Sequence, residues 1–340
     1  MLSNELFGTH YEMGYQWGNF LREQGVCLLD QIPFLLTQDR LDFAQACLPH
    51  YQAHFPAALE ELQGIADGQQ VLPRRLTAAI LSMYALPPAA HCSCFAVLRE
   101  DGVLWGRNSD FLPQLETANR RVIYRFSEVA YDFSGHTTSF VQMEDGVNQR
   151  GLVIGLTSVQ PTAIHPGLNA GMLLRWMLER CATADEAIGQ LRQVPIASAQ
   201  TFLLADRSGS AALVECCSQG TAVRYASTDH PALWSVNAFH LSETAPYQGR
   251  PEDDWGAAER WHTLDRVLTR QGACLTPYQA IKLLSGRYGF LCQYDRTQGK
   301  DTVWSVVCDL AHGRLWRAEG NPARVPFQLD RKFSFLSARP

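Results

Sequence analysis

The sequence predicts an α+β fold, in which a helical leader of about ninety residues precedes a body of strands and helices in alternating blocks. Three observations predict it. The apolar period changes from helical to alternating near residue 90. Asp101-Gly102, a tight-hairpin signal, follows just beyond that change. Capping pairs, a Thr with Glu or Gln three residues on, stand before apolar stretches at Thr9/Glu12, Thr183/Glu186 and Thr276/Gln279. Two antiparallel sheets covered by helices would bury such a body as layers.

The leader reads as four helices. The first follows the Thr9/Glu12 box, with Met13, Trp17, Phe20, Leu21 and Leu28 at helical spacing. The second covers Leu41 to Leu48. The third starts near Pro56, a residue tolerated in a first turn, and ends at Gly68. The fourth runs from Pro73 to Tyr84, and Pro87-Pro88 stops it. In the body, strands are expected at 92–98, 103–108, 121–126, 137–143 and 151–157. Helices follow at 168–181 and after Thr183, then strands at 200–205, 211–217, 221–226 and 233–237. Helices at 253–270 and 276–285 precede a closing hairpin, 303–309 and 315–318, turned at His312-Gly313.

Composition narrows the function. A net charge of -5 and a pI near 6.1 argue against nucleic acid as a partner. No apolar run approaches the ~18 residues a membrane span needs, and the first residues lack the basic and apolar regions of a signal peptide. A cytoplasmic location is therefore expected. The ten cysteines contain no C-x-x-C pair, and most are expected to be buried thiols. There is no G-x-G-x-x-G, P-loop, H-E-x-x-H or G-x-S-x-G, so no cofactor or catalytic metal is implied.

The stretch that carries chemistry begins His91-Cys92-Ser93-Cys94, turns at Asp101-Gly102 and returns through Gly106-Arg107-Asn108-Ser109-Asp110-Phe111. A cysteine that becomes N-terminal holds both a nucleophile and a base. Its thiol attacks an amide carbon, and its α-amine, with an ordinary pKa near ~8, relays the proton. The same thiol attacking the carbonyl of His91 would give a thioester that water resolves, releasing the leader.

This pattern resembles the N-terminal-nucleophile linear amide C–N hydrolases, which include choloylglycine (bile salt) hydrolases, penicillin acylases and the penicillin-forming acyl-CoA acyltransferase of fungi. The resemblance is strongest to the last. It extends to Gly8–Gly18, to Phe55-Pro56 through Gly68, to Asn148–Leu152, Leu173–Glu179 and Ser235–His240, and to Thr302–Asp309. It implies a four-layer αββα sandwich of two antiparallel sheets, with residues 1–91 as a leader that cleavage turns into a small subunit and 92–340 as the catalytic domain. It also implies roles. Cys92 is the nucleophile, and Asp110 holds its α-amine. Arg107 lowers the thiol pKa and touches substrate. Asn237, at the end of a strand, donates to the oxyanion, and a main-chain N–H near Thr157 is the second donor. Bile salt hydrolases carry Asn where Thr157 stands. Arg107 leans toward those hydrolases, since the fungal enzyme has Gln there. The fungal enzyme also has a functional Arg just before the strand matched by Thr302–Asp309, where Lys300 fits after a shift of one residue.

The substrate implied is a small-molecule N-acyl amide. Water as acceptor makes the enzyme an amidase. An amine as acceptor, with acyl-CoA as a further donor, makes it an acyltransferase, and a homo-oligomer is left open. Rival readings stand beside these. Cys94, on the same strand face as Cys92, is the other nucleophile. His91, Cys92 and Cys94 are a candidate metal triad. His136, His230 or His240 would serve as base in an uncleaved cysteine enzyme. A non-catalytic relative would bind an acylated small molecule.

Overall fold

The computed structural model describes residues 2–86 and 91–335. Pro87-Pro88, the expected helix stop, lies outside the described residues. In order along the chain, β1 is Leu2–Gly8, α1 His10–Glu23, α2 Gln38–His54, α3 Pro56–Gln69 and α4 Pro73–Ser82. The body begins with β2 His91–Arg99 and β3 Gly102–Phe111. Next come β4 Arg120–Phe126, β5 Phe133–Thr137, β6 Asp145–Asn148, β7 Val153–Val159, α5 Ala170–Arg180 and α6 Ala184–Leu191. Then follow β8 Ala199–Ala205, β9 Ala211–Cys217, β10 Gly220–Tyr225 and β11 Ala232–Ser235. The chain closes with α7 Ala257–Gln271, α8 Pro277–Leu284, β12 Asp301–Asp309, β13 Arg314–Ala318 and β14 Gln328–Asp330.

Two sheets stack face to face. One runs β1-β4-β5-β6-β7-β8-β9-β10, the other β11-β2-β3-β12-β13-β14. Helices α5 and α6 cover the outer face of the first, and α7 and α8 that of the second, which gives the expected αββα layers. Sheet-to-sheet contact is polar as well as apolar. The Trp105 indole donates to the Leu203 carbonyl (3.1 Å) across the interface. Gly155 of β7 makes room for this crossing, since a Cβ there would sit 2.5 Å from the Trp105 ring and 2.9 Å from Arg107 Cδ.

Four sequence expectations need correction. The leader is not wholly helical: residues 2–8 form β1, which pairs in parallel with all seven residues of β4. The first sheet is therefore mixed, not antiparallel throughout. The expected strand 137–143 lies earlier, at Phe133–Thr137, because the chain turns at 138–143 to start β6. Strand β11 stops at Ser235, so Asn237 sits in the following loop.

Capping boxes form at Thr9/Glu12 and Thr276/Gln279, while Thr183 caps α6 by accepting from Glu186 N–H. The leader binds the body tightly. Helices α1 and α3 meet through Gly14 and Gly18 on one and Gly64 and Gly68 on the other. A Cβ at Gly14 would fall 2.2 Å from the Glu61 carbonyl oxygen, so a larger residue would drive the helices apart. Leader residues also enter a buried ion network. Glu61 pairs with Arg175 of α5 and accepts from the Tyr124 hydroxyl (3.1 Å). The His10 ring meets Glu179 at 2.9 Å, and Glu179 accepts from Arg175 Nε at 2.7 Å.

Candidate active site

Strand alternation sorts the motif onto two faces. Cys92, Cys94, Arg107 and Ser109 face inward between the sheets, whereas His91, Ser93, Asn108 and Asp110 face the α7–α8 layer. Register places His91 opposite Asp110, Cys92 opposite Ser109 and Cys94 opposite Arg107.

On the inner face Arg107 holds the Cys92 sulfur. Its Nη2 lies 2.8 Å from Sγ, Nη1 donates to Asp145 Oδ2 at 2.9 Å, and Nε donates to the Leu156 carbonyl at 3.2 Å. Glu144 lies 3.7 Å from Nη2 and accepts from the Ser109 hydroxyl. Asp145 is held further by the Trp304 indole at 2.8 Å and by His136 Nδ1 at 2.6 Å. Arg317 donates to the other ring nitrogen of His136, so the ring proton sits on Nδ1 and points at Asp145. Burial lowers the His136 pKa to about 4, and the adjacent Arg317 cation adds to the shift. Asp145 lies low, at about 2, because His136 and Arg107 outweigh its burial.

Arg107 favours the thiolate, as the sequence implies, but burial wins in the continuous chain. Burial pushes the Cys92 thiol up to about 12 despite the guanidinium. Tyr84, at the end of the leader, belongs to this cluster. Its hydroxyl lies 3.3 Å from Ser139 Oγ, and burial, then Glu144, push its pKa up.

On the outer face a residue that sequence reasoning missed, Arg260 of α7, organises the Cys92 main chain. Its Nη1 donates to the Cys92 carbonyl (2.6 Å) and to Ser93 Oγ (3.1 Å), and its Nη2 donates to Asn237 Oδ1 (2.9 Å). Asp110 lies 3.7 Å from Nη1. It accepts from the Thr302 hydroxyl at 2.6 Å and from the Tyr294 hydroxyl at 3.0 Å. Burial raises Asp110 to about 6, against the pull of Arg260. A signal for Arg260 was available: it shares the buried stripe of α7 with Ala257, Leu264, Val267 and Leu268, where a lone cation must find a partner.

Asn237 presents its amide oxygen to Cys92, accepting from the Cys92 N–H at 3.0 Å, while its Nδ2 donates to the Ser158 carbonyl at 2.9 Å. The loop that carries it is pinned from both sides. Thr157 Oγ1 donates to the Val236 carbonyl at 2.6 Å and lies 2.8 Å from Thr201 Oγ1. Glu215 of β9 accepts from the main-chain N–H groups of His240 and Leu241 and from the Thr244 hydroxyl. The Thr157 side chain thus holds the residue before Asn237.

Lys300 stands apart from this cluster. It pairs with Asp253 and lies 5.5 Å from the Trp255 ring, which stacks on His91 at 4.5 Å. Burial holds the His91 pKa down at about 3, with Arg260 adding to it. His91 therefore points away from Cys92 and Cys94, and among the described residues no three His, Cys, Asp or Glu converge as metal ligands. Cys94 is as fully buried as Cys92, and burial likewise pushes its thiol up. Of the histidine candidates, His136 is occupied by Asp145 and Arg317, His230 is exposed, and His240 stacks on Trp261.

Two stacked sheets between helical layers give the αββα arrangement of the N-terminal-nucleophile class of fold. The chain belongs to the acyl-coenzyme A:6-aminopenicillanic acid acyl-transferase family, whose model matches residues 97–324. That span contains Arg107, Asp110, Thr157, Asn237, Arg260 and Lys300, and begins just after Cys92. Membership places it among enzymes that break or form linear amide C–N bonds. Among solved structures, penicillin V acylase from Agrobacterium tumefaciens is similar at 17% identity over 67% of this chain and 83% of its own, with a TM-score of 0.44. The Caenorhabditis elegans orthologue of N-acylethanolamine-hydrolyzing acid amidase gives 15%, 65%, 93% and 0.47. A mutant of conjugated bile acid hydrolase from Clostridium perfringens gives 13%, 71%, 97% and 0.44. No curated protein matches the chain. No helix of the described residues is long and apolar enough to cross a membrane.

Proposed function

We propose that this chain is a cysteine N-terminal-nucleophile enzyme that cuts its own 91–92 bond and then hydrolyses the amide of an N-acylated small molecule. The observation that carries the reading is the double hold on one residue: Arg107 on the Cys92 sulfur, and Asn237 with Arg260 on its main chain.

In the first step Sγ attacks the His91 carbonyl carbon. The C–N bond breaks, the thiol proton passes to the Cys92 nitrogen, and residues 1–91 are held as a thioester. Water then hydrolyses the thioester, giving a His91 carboxylate and regenerating the thiol. The new α-amine stands where the peptide nitrogen was, 3.0 Å from Asn237 Oδ1, an acceptor that orients it. In turnover the amine takes the thiol proton and delivers it to the leaving amine of the substrate. Arg107 stabilises the thiolate electrostatically. Asp110, through Arg260, keeps the Cys92 main chain in place, so we assign it a positioning role together with its expected part in holding the α-amine. As an oxyanion donor, Asn237 would need its amide turned to present Nδ2, and the main chain near Thr157 is the other donor. Lys300, beside Asp253 and Trp255, is assigned to the substrate entrance.

Water is the favoured acceptor, and an amine accepting the same acyl group, with acyl-CoA as alternative donor, is the second outcome. The test is the intact mass under reducing, denaturing conditions of wild type and Cys92→Ala. Cleavage splits 38.0 kDa, in proportion to residues 1–91 and 92–340, into about 10 and about 28 kDa. Two pieces in wild type and one in the variant are expected. A wild type that stays whole after long incubation removes the α-amine and sinks the reading.

A further inference from the structure

The 91–92 bond is gripped on its Cys92 side by Asn237 and Arg260. On its other side the His91 ring stacks on the Trp255 indole, with centroids 4.5 Å apart and planes 13° from parallel. His91 Nδ1 is sealed from solvent and has no hydrogen-bond partner among the described residues. The ring is uncharged at neutral pH, because burial and then the Arg260 cation outweigh Asp253. Flat faces, not charge, make this contact.

Trp255 reaches His91 through a strained backbone. Its φ is +51°, in the left-handed region that bulky side chains avoid, and Gly256 follows at +67°. Residues 250–254 before it are exposed, and the two left-handed residues turn the chain inward at the start of α7, where the indole is buried. The Trp255 N–H donates to Asp253 Oδ1 at 3.0 Å. Its carbonyl accepts from Arg260 Nε and from the Tyr294 hydroxyl, each at 3.2 Å. Those two groups also hold the Cys92 carbonyl and Asp110. Strain of this kind persists only where the surroundings over-determine it, and it clusters at active sites.

We propose that Trp255 is a positioning residue for self-cleavage, whose indole clamps the His91 ring and so fixes the scissile carbonyl for the Cys92 thiol. The inference rests on the self-cleavage reading. Strand alternation puts the His91 ring on the outer face and the Cys92 sulfur on the inner one. Attack on the carbonyl just before it closes a small ring of Sγ, Cβ, Cα, N and the carbonyl carbon. That closure needs the acyl side held still while the thiol approaches, and an anchored side chain removes its rotation. Position 91 thereby becomes selective for a flat side chain.

The experiment is cell-free synthesis of the full chain, quenched into denaturant at intervals and read by intact mass for the rate of cleavage. His91→Phe keeps a flat ring without its nitrogens and should cleave within about threefold of wild type. His91→Ala removes the face and should cleave roughly fivefold more slowly or worse. Trp255→Leu, its fold checked by circular dichroism, should slow cleavage by a similar factor. The double variant His91→Ala/Trp255→Leu should be no slower than the slower single one, because the stack is lost only once. Should Trp255→Leu not fold, the two variants of the half-buried His91 decide alone. Wild-type cleavage in His91→Ala overturns the proposal. So does a His91→Phe as slow as His91→Ala, which would place the ring nitrogens in the chemistry, and so do additive losses in the double variant. A wild type that stays whole overturns the self-cleavage reading and this inference with it. A wild type that cleaves beside an equally fast His91→Ala overturns this inference alone.

Discussion

The Cys92 sulfur lies 2.8 Å from Arg107 Nη2, and the same guanidinium reaches Asp145 at 2.9 Å through Nη1. One planar group thus links the nucleophile to a buried carboxylate, and the two contacts need a fork rather than a point charge. Arg107→Lys should keep a cation but lose one of the two contacts. Self-cleavage should slow more than tenfold, with modest loss of stability. Arg107→Ala should do worse, because Asp145 and Glu144 are left buried without their cation, a defect costing about 3–5 kcal/mol. Timed mass spectra and thermal melts of the two variants separate these effects. A Lys variant that cleaves at the wild-type rate would remove Arg107 from the chemistry.

Asp110 titrates near 6, where most carboxylates are long ionised. If its charge is needed to hold Arg260 and the α-amine, turnover should rise with pH along a limb centred near 6. That limb should vanish in Asp110→Asn. The sign for stability runs the other way. The folded chain holds the Asp110 proton more firmly than the unfolded chain does, so this residue's contribution falls as pH climbs from about 4 to about 6. A pH–rate profile that is flat between 5 and 7 in wild type would count against the role.

Arg260 makes its bonds to Cys92, Ser93 and Asn237 from inside a helix. Replacing it with Met, similar in length and apolar, keeps the helix stripe but frees the Cys92 carbonyl and Asn237. The expected outcome is a folded chain, with a circular dichroism spectrum like that of wild type, that cleaves at least tenfold more slowly. Wild-type cleavage in Arg260→Met would show that the main chain of Cys92 is held well enough without it.

His10 ties the leader to the body. Burial opposes its protonation, but Glu179 overrides this and raises its pKa to about 9. A raised histidine stabilises fully below its unfolded pKa of about 6.5, and the contribution is lost as pH rises through about 9. The melting temperature should therefore fall by a few degrees between pH 7 and pH 9.5. In cleaved protein the leader should be easier to strip from the body at the higher pH. His10→Gln should flatten that dependence. Equal retention of the leader at both pH values on a denaturing gradient column would contradict it.

Sequence alone determined the features that local physics governs. Capping pairs set the starts of α1, α6 and α8, and Asp101-Gly102 set the β2–β3 hairpin. That hairpin in turn fixed which face each of Cys92, Arg107 and Asp110 occupies, because a strand alternates with period two. The family was legible too, from ordered motifs spread over most of the chain. What only tertiary structure decided involves partners far apart in sequence. Strand β1 joins a sheet because β4, more than a hundred residues later, offers an open edge that its hydrogen bonds complete. Arg260 reaches Cys92 across 168 residues, and Asn237 turns its amide oxygen rather than its nitrogen to Cys92 because the Ser158 carbonyl takes Nδ2 while Arg260 Nη2 donates to the same oxygen. The ionisation of Cys92 was the least legible. A nearby arginine argues for a low pKa, and only the depth of burial, a property of the assembled layers, reverses the sign.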